Sequence, residues 1–202
     1  MRALISMSGI VGKSQDEVLG VLNSYFNKNS KVLKETALNT EIYKLFLLSE
    51  SNNSSVILYP ELFSEINEVA LYLGKKLDSP IFNFYIYDVD LWMYELFCDG
   101  KIIDRFCPLP RYIEDIEIEE IKLYKGNPKI VCKFLEAIQF DEIREYYKPW
   151  TEKLIKSQEK AYSNDEFTYG MNWQAVDFMR KLGLKYPIVD EEELIGRAFK
   201  LV

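Results

Sequence analysis

Four carboxylates could act together in the stretch 80–110, which the alternation of apolar residues predicts to be three antiparallel strands. They are Asp88, Asp90, Glu95 and Asp104. Carboxylate oxygens are the ligands that Mg²⁺ and Ca²⁺ prefer, so one hypothesis is a metal-dependent hydrolase that uses these side chains. The alternative is that Asp88 and Asp90 are ordinary turn residues.

The spacing around Asp99-Gly100 sets the expected register of the last two strands. If these residues form a two-residue hairpin turn, Cys98 pairs with Lys101 and Glu95 stands directly opposite Asp104. Like charges in that position are unfavourable. A metal ion, a shared proton or a neighbouring Arg or Lys would compensate them, and a β-bulge near Glu95 would separate them.

The same register predicts an aromatic face on this part of the sheet, because side chains alternate along each strand. We define the aromatic sheet surface as Tyr85, Tyr87, Trp92, Tyr94 and Arg105. Tyr, Trp and Arg dominate the energetically important positions of protein interfaces. The surface is therefore a candidate for binding another protein or a second copy of the chain, unless the C-terminal helices cover it.

Composition excludes several classes of function. The chain has 202 residues, no His and a net charge of −7. Catalytic and metal-binding imidazoles are thereby excluded, and the scattered Lys and Arg residues do not predict nucleic-acid binding. No phosphate-binding or dinucleotide-binding glycine motif occurs, so no cofactor is expected.

The predicted location is the cytoplasm. No apolar run approaches the roughly 18 residues of a membrane span, and the first residues suit a strand better than a signal peptide. The three cysteines are too far apart in the expected register, or wrongly spaced, for a disulfide or a zinc site, so unpaired thiols are expected.

The order of apolar patterns predicts an α+β fold in one domain. Residues 1–110 read as β-α-β-β-β-α-β-β-β, a mainly antiparallel sheet with both helices on one face. Ser14 and Ser64 are the expected N-caps of these helices. Residues 111–202 are expected to be a helical half that packs on the sheet, and the tail with Glu191–Glu193 to be exposed.

Two segments resemble a group of uncharacterised bacterial proteins. One is Tyr87-Asp88-Val89-Asp90-Leu91-Trp92-Met93-Tyr94-Glu95-Leu96-Phe97, and the other joins Asp165–Gly170 to Trp173–Met179. The similarity extends over most of the chain. It implies no activity and no catalytic residues, because none is established for that group.

These observations favour a non-enzymatic bacterial binding protein whose partner is another protein, with a basic protein favoured by the negative charge. An immunity-like protein that neutralises a toxin is the most concrete form of this hypothesis. The alternatives are the metal-dependent hydrolase and a structural subunit that forms homo-oligomers.

Overall fold

The computed structural model describes residues 3–37, 41–87, 91–113, 117–190, 193–194 and 196–202. Its strands are β1 (Ala3–Ile10), β2 (Leu33–Thr36), β3 (Phe46–Ser51), β4 (Ser54–Leu58), β5 (Ile81–Tyr87), β6 (Leu91–Cys98), β7 (Lys101–Phe106), β8 (Ile188–Asp190), β9 (Glu193–Leu194) and β10 (Arg197–Leu201). Its α-helices are α1 (Gln15–Asn27), α2 (Ile66–Leu77), α3 (Pro128–Phe134), α4 (Phe140–Ile143), α5 (Glu152–Ser157) and α6 (Gln174–Lys181). Short 3₁₀ helices lie at Ile42–Lys44, Pro110–Tyr112, Glu120–Tyr124 and Arg144–Tyr147.

One eight-stranded antiparallel sheet organises the chain. Its strand order is β2-β10-β3-β4-β1-β5-β6-β7, and β8 and β9 form a separate two-stranded hairpin. The predicted α+β class is confirmed, and the element order predicted for residues 1–110 matches the observed one.

The first helix forms as its sequence predicts. The Ser14 hydroxyl accepts from the backbone N–H of Glu17, and the Glu17 side chain accepts from the backbone of Ser14, so each satisfies a donor that the helix itself leaves unpaired. Val18, Leu22 and Phe26 follow at helical spacing and are fully buried against the sheet.

The second helix begins one residue later than expected. Glu65, not Ser64, is the N-cap, and it makes no side-chain capping bond. Its carboxylate instead accepts from the Tyr25 hydroxyl at 2.9 Å and from Lys31 Nζ at 3.1 Å. The start of α2 is therefore tied to the end of α1 by side chains that sequence spacing does not bring together.

The sheet has two buried faces, because neighbouring side chains on each strand point to opposite sides. On the helix face, side chains such as Ile10, Phe46 and Ile57 pack against α1 and α2. On the C-terminal face, strand residues pack against the segments that follow β7, with Phe178 of α6 among them. The predicted C-terminal half therefore covers the side of the sheet that α1 and α2 leave free.

β3 and β4 are joined by a tight turn. Asn52 and Asn53 both have positive φ, 50° and 56°, and Ser51 pairs with Ser54 across the turn. This is a two-residue hairpin turn, for which Asn is well suited. Ser49 of β3 is 1% exposed, and its hydroxyl donates to the carbonyl of Lys185 at 2.9 Å.

The second half contains the predicted helices, but its tail, expected to be exposed, includes a buried strand. Glu191 and Glu192 of that tail lie outside the described residues. β10 enters the sheet between β2 and β3, and Ala198 and Phe199 are buried there. Its five residues give a weak strand signal on their own, because the strand is completed only by partners more than 140 residues earlier in sequence.

The helices and the cysteines agree with two further predictions from the sequence. None of the helices that the structure describes is long and apolar enough to cross a membrane. Cys98, Cys107 and Cys132 are free thiols, as the sequence predicts.

Gly196 gives the first testable prediction, because β10 depends on it. Its φ is +130°, and an added Cβ would collide with the carbonyl oxygen of Leu48. We expect Gly196→Ala to lower the free energy of unfolding by about 3 kcal/mol, through backbone strain and a displaced β10. Urea-induced unfolding monitored by circular dichroism measures this change.

The matched control is Gly20→Ala, in the exposed middle of α1, where no atom lies within 4 Å of the added Cβ. It should raise the free energy of unfolding by up to about 1 kcal/mol, because alanine favours helix. Equal effects of the two substitutions would contradict the role given to Gly196.

Candidate functional site

The β6–β7 hairpin starts in the predicted register. Both residues of the Asp99-Gly100 turn have positive φ, 50° and 74°, and Cys98 lies opposite Lys101. The two-residue turn inferred from the sequence is therefore present.

A β-bulge then shifts the register of β7 by one residue. Phe97 pairs with Ile102, but the next residue of β6, Leu96, pairs with Asp104, so Ile103 is the additional residue. Every position of β7 beyond the bulge consequently points to the opposite face from the one that an unbroken register predicts.

The predicted pairing of Glu95 with Asp104 is therefore wrong. Glu95 lies opposite Arg105, and Arg105 Nε donates to Glu95 Oε1 at 2.8 Å. A β-bulge and a neighbouring arginine are two ways, expected from the sequence, to relieve the repulsion between these carboxylates. The structure contains both.

This geometry also contradicts a metal ion shared by Glu95 and Asp104. Asp104 is paired with Leu96 and so lies on the C-terminal face, whereas Glu95 lies on the helix face. Asp88 and Asp90 lie outside the described residues. Across the part of the chain that the structure describes, no three His, Cys, Asp or Glu side chains come together as potential metal ligands.

The structure divides the aromatic sheet surface between the two faces. Tyr85 pairs with Met93, and Tyr87 pairs with Leu91, so both tyrosines lie on the helix face. Trp92 and Tyr94 point the other way. The prediction that all five residues share one face is wrong. It assumed that Tyr85 and Tyr87 lie on the same face as Trp92 and Tyr94, and it did not include the bulge, which moves Arg105 to the other face.

Trp92 and Tyr94 belong to the core. Both are 0% exposed, and their rings lie 5.6 Å and 5.5 Å from the ring of Phe178, measured between centroids. They fix α6 to the sheet and offer no surface to a partner. Tyr85, Tyr87 and Arg105 remain half-buried on the other face.

A row of polar residues crosses the helix face at the level of Glu95. The pairings Ser8–Asn83, Asn83–Glu95 and Glu95–Arg105 place one polar residue on each of β1, β5, β6 and β7. Ser8 and Asn83 are fully buried, and Glu95 is 6% exposed. We call these four residues the polar row.

Hydrogen bonds connect the polar row to α2. Ser8 Oγ donates to Asn83 Oδ1 at 2.5 Å, so the Tyr59 hydroxyl, 2.7 Å away, donates to Ser8. Asn83 Nδ2 and the Tyr85 hydroxyl both donate to Asn67 Oδ1, at 3.1 Å and 2.9 Å. Buried polar groups in this row therefore have partners, as a stable interior requires.

Sequence reasoning missed Ser8 and Asn83 as members of the site. The available signal was their position, because each occupies an inward-facing place in a strongly apolar strand. A polar residue at such a place requires a partner, but the sequence does not identify it.

The exposed end of the polar row is bordered by tyrosines. We define the tyrosine–arginine surface as Tyr85, Tyr87, Arg105 and Tyr124, with Glu95 beneath it. The guanidinium carbon of Arg105 lies 5.9 Å from the ring centroid of Tyr124, within range of a cation–π interaction. The Tyr87 hydroxyl donates to Met93 Sδ at 3.5 Å, and sulfur is a weak acceptor.

Burial moves the pKa of these tyrosines further above neutral pH. It raises the pKa of Tyr87 to about 12, with smaller contributions from Cys107, Tyr124 and Glu95. Burial is also the largest cause of the raised pKa of Tyr85, and the negative charge of Glu95 adds to it. Near neutral pH the hydroxyls are therefore hydrogen-bond donors and not bases, so the arrangement is suited to binding.

Asp104 serves a different purpose on the C-terminal face. Its Oδ2 accepts from the Tyr94 hydroxyl at 2.5 Å and from the backbone N–H of Asn127 at 3.1 Å. The Tyr147 hydroxyl lies 2.7 Å from that of Tyr94 and donates to it. Burial raises the pKa of Asp104 above its ordinary value, against the opposing effect of these hydrogen bonds.

The Glu95–Arg105 pair gives a prediction about stability. Arg105→Ala leaves a nearly buried carboxylate without its cation. We expect the free energy of unfolding to fall by about 2–3 kcal/mol, less than the ~3–5 kcal/mol of fully buried pairs, because the arginine side chain is 29% exposed. The double variant Glu95→Leu/Arg105→Leu should recover most of this loss.

Arg144→Ala is the control, because the Arg144 side chain is 52% exposed and its partner Asp141 is 80% exposed, so this substitution should change stability by less than about 0.5 kcal/mol. Chemical denaturation of all four proteins measures the differences. A double variant as unstable as Arg105→Ala would show that the charge pair is not the cause.

Asp104 gives a prediction about pH. Because its folded-state pKa is raised above the unfolded value of 3.8, the folded protein binds this proton more tightly. The resulting stability is fully present below the unfolded pKa and is lost as the pH rises through the folded pKa. Asp104→Asn should therefore become more stable relative to wild type as the pH is raised from about 4 to 7.

Asp104→Ala lacks the same titrating group and also the acceptor of Tyr94 and Asn127, so it should be about 1–3 kcal/mol less stable than Asp104→Asn at every pH. Thermal unfolding of the three proteins across this pH range separates the two effects. A pH-independent difference between Asp104→Asn and wild type would refute the assignment.

Comparison with known proteins does not assign the chain to a family. No family model, no curated protein and no solved structure matches the chain. The resemblance to uncharacterised bacterial proteins remains a prediction from the sequence.

Proposed function

We propose that this chain is a non-enzymatic bacterial binding protein that recognises another protein through the tyrosine–arginine surface. The carrying observation is the Glu95–Arg105 pair, which holds a partly exposed guanidinium beside the ring of Tyr124, on the same face of the sheet as Tyr85 and Tyr87. Tyrosine and arginine supply most of the energy of protein interfaces when they are held rigidly before binding.

Rigidity distinguishes this surface from an ordinary group of exposed side chains. The Tyr85 hydroxyl is bound to Asn67 of α2, and Arg105 is bound to the nearly buried carboxylate of Glu95. Side chains fixed in this way lose little conformational entropy when a partner binds.

An immunity-like protein that neutralises a toxin in the cytoplasm is the most concrete form of the proposal. Such a function requires tight binding and no catalysis. The net charge of −7 supports rapid association with a partner of positive charge.

Affinity capture tests the proposal. The tagged chain should retain a partner from extracts of cells that naturally produce it, and Tyr85→Ala/Tyr87→Ala should weaken that capture at least ~30-fold, since two such anchors contribute about 2 kcal/mol or more. Tyr43→Ala is the matched control, because Tyr43 is 50% exposed and lies before β3, away from this surface.

Circular dichroism and thermal unfolding establish that the variants are folded. Capture of no protein, or equal capture by the double variant, would refute the proposal. Capture of a second copy alone would favour the self-associating subunit. A captured protein that stops growth when it is produced without this chain would identify the immunity-like form.

A further inference from the structure

Arg105 uses its guanidinium differently from Arg197 and Arg180. Arg144 also pairs through Nε, but its side chain is more exposed than that of Arg105, at 52% against 29%. Arg197 donates through all three of its nitrogens, to Glu35 and Asp16. Arg180 donates through both terminal nitrogens, to Asp177 and Glu166. Arg105 donates through Nε to Glu95, and neither of its terminal nitrogens has a hydrogen-bond acceptor among the described residues.

We propose that these two terminal nitrogens of Arg105 bind a carboxylate side chain, Asp or Glu, of the partner protein. This inference rests on the proposed function and assigns the chemistry of its central contact. A carboxylate accepts two parallel N–H···O bonds from the end of a guanidinium, which gives a directional and charge-assisted contact.

The burial of the Glu95–Arg105 pair is asymmetric. The Glu95 side chain is 8% exposed and that of Arg105 is 29% exposed. Incoming groups therefore meet the cationic end of the pair, while the anionic end lies beneath it in the sheet. The Nε bond to Glu95 also fixes the plane of the guanidinium, so the orientation of the terminal nitrogens is set before a ligand arrives.

The surrounding donors suit an oxygen ligand. The hydroxyl of Tyr87 has the sulfur of Met93 as its acceptor, and a carboxylate oxygen is a much stronger acceptor than a thioether. An oxygen ligand on this surface could therefore replace the sulfur as the acceptor of the Tyr87 hydroxyl.

The charge of the site favours one negative charge over two. Glu95 already balances Arg105, so a phosphate dianion would add a second negative charge close to a poorly solvated carboxylate. A single carboxylate adds half of that repulsion and still receives two hydrogen bonds from the guanidinium.

A titration followed by nuclear magnetic resonance tests the inference directly. The probes are the peptides acetyl-Gly-Glu-Gly-amide and acetyl-Gly-Gln-Gly-amide, added at constant ionic strength to the ¹⁵N-labelled chain. The Nε–H signal of Arg105 should shift saturably with the glutamate peptide, with a dissociation constant on the order of 1–100 mM for such a small ligand. It should not shift with the glutamine peptide.

Two variants provide matched controls. Arg105→Gln should weaken binding of the glutamate peptide at least tenfold. Arg197→Gln should not change it, because the guanidinium of Arg197 is fully occupied by Glu35 and Asp16. An unchanged Arg105 signal, or equal shifts from the two peptides, would overturn the inference. Tighter binding of inorganic phosphate than of the glutamate peptide would overturn the choice of a carboxylate.

The result also separates this inference from the proposed function. If capture of a partner depends on Tyr85 and Tyr87 but is unaffected by Arg105→Gln, protein binding stands and the carboxylate assignment fails. If Arg105 binds the glutamate peptide while the chain captures no protein, the chemistry of the site stands and the proposed function fails.

Discussion

The carboxylate of Glu95 lies inside an apolar sheet, and this burial determines the arrangement around it. A buried carboxylate is unstable unless a cation and further hydrogen bonds compensate it. Arg105 supplies the cation from the neighbouring strand. The residues beside Glu95 on β5 and β1, Asn83 and Ser8, are also polar. The polar row therefore separates two apolar clusters on this face, one beneath α1 and α2 and one around Leu91 and Met93.

The bulge at Ile103 makes this pairing possible and also determines which side chains of β7 lie on each face of the sheet. Without the additional residue, Arg105 would lie on the C-terminal face and Asp104 would face Glu95. With it, Asp104 lies where Tyr94 and the backbone of Asn127 can donate to its carboxylate. One inserted residue thus gives each of the two acidic side chains its own set of partners on its own side of the sheet.

The sequence predicts local structure well and three-dimensional relations poorly. The capping box at Ser14, the Asp99-Gly100 turn and the element order to residue 110 follow from local patterns, which depend on neighbouring residues alone. The bulge and the place of β10 do not, because each depends on pairing with distant strands. The candidate surface was half predicted for the same reason: its residue types were visible, but a one-residue shift decides which of them share a face.

Stability does not explain why an ion pair lies at this place in the sheet. Replacing a buried pair by apolar residues is often neutral or stabilising, and the neighbouring positions of β6 on the same face, Met93 and Phe97, show that apolar side chains fit here. What apolar residues could not provide is a partly exposed guanidinium held by a buried carboxylate. The pair is therefore better understood as a means of positioning Arg105 than as a source of stability, and this is the physical basis of the proposal that a partner binds at the tyrosine–arginine surface.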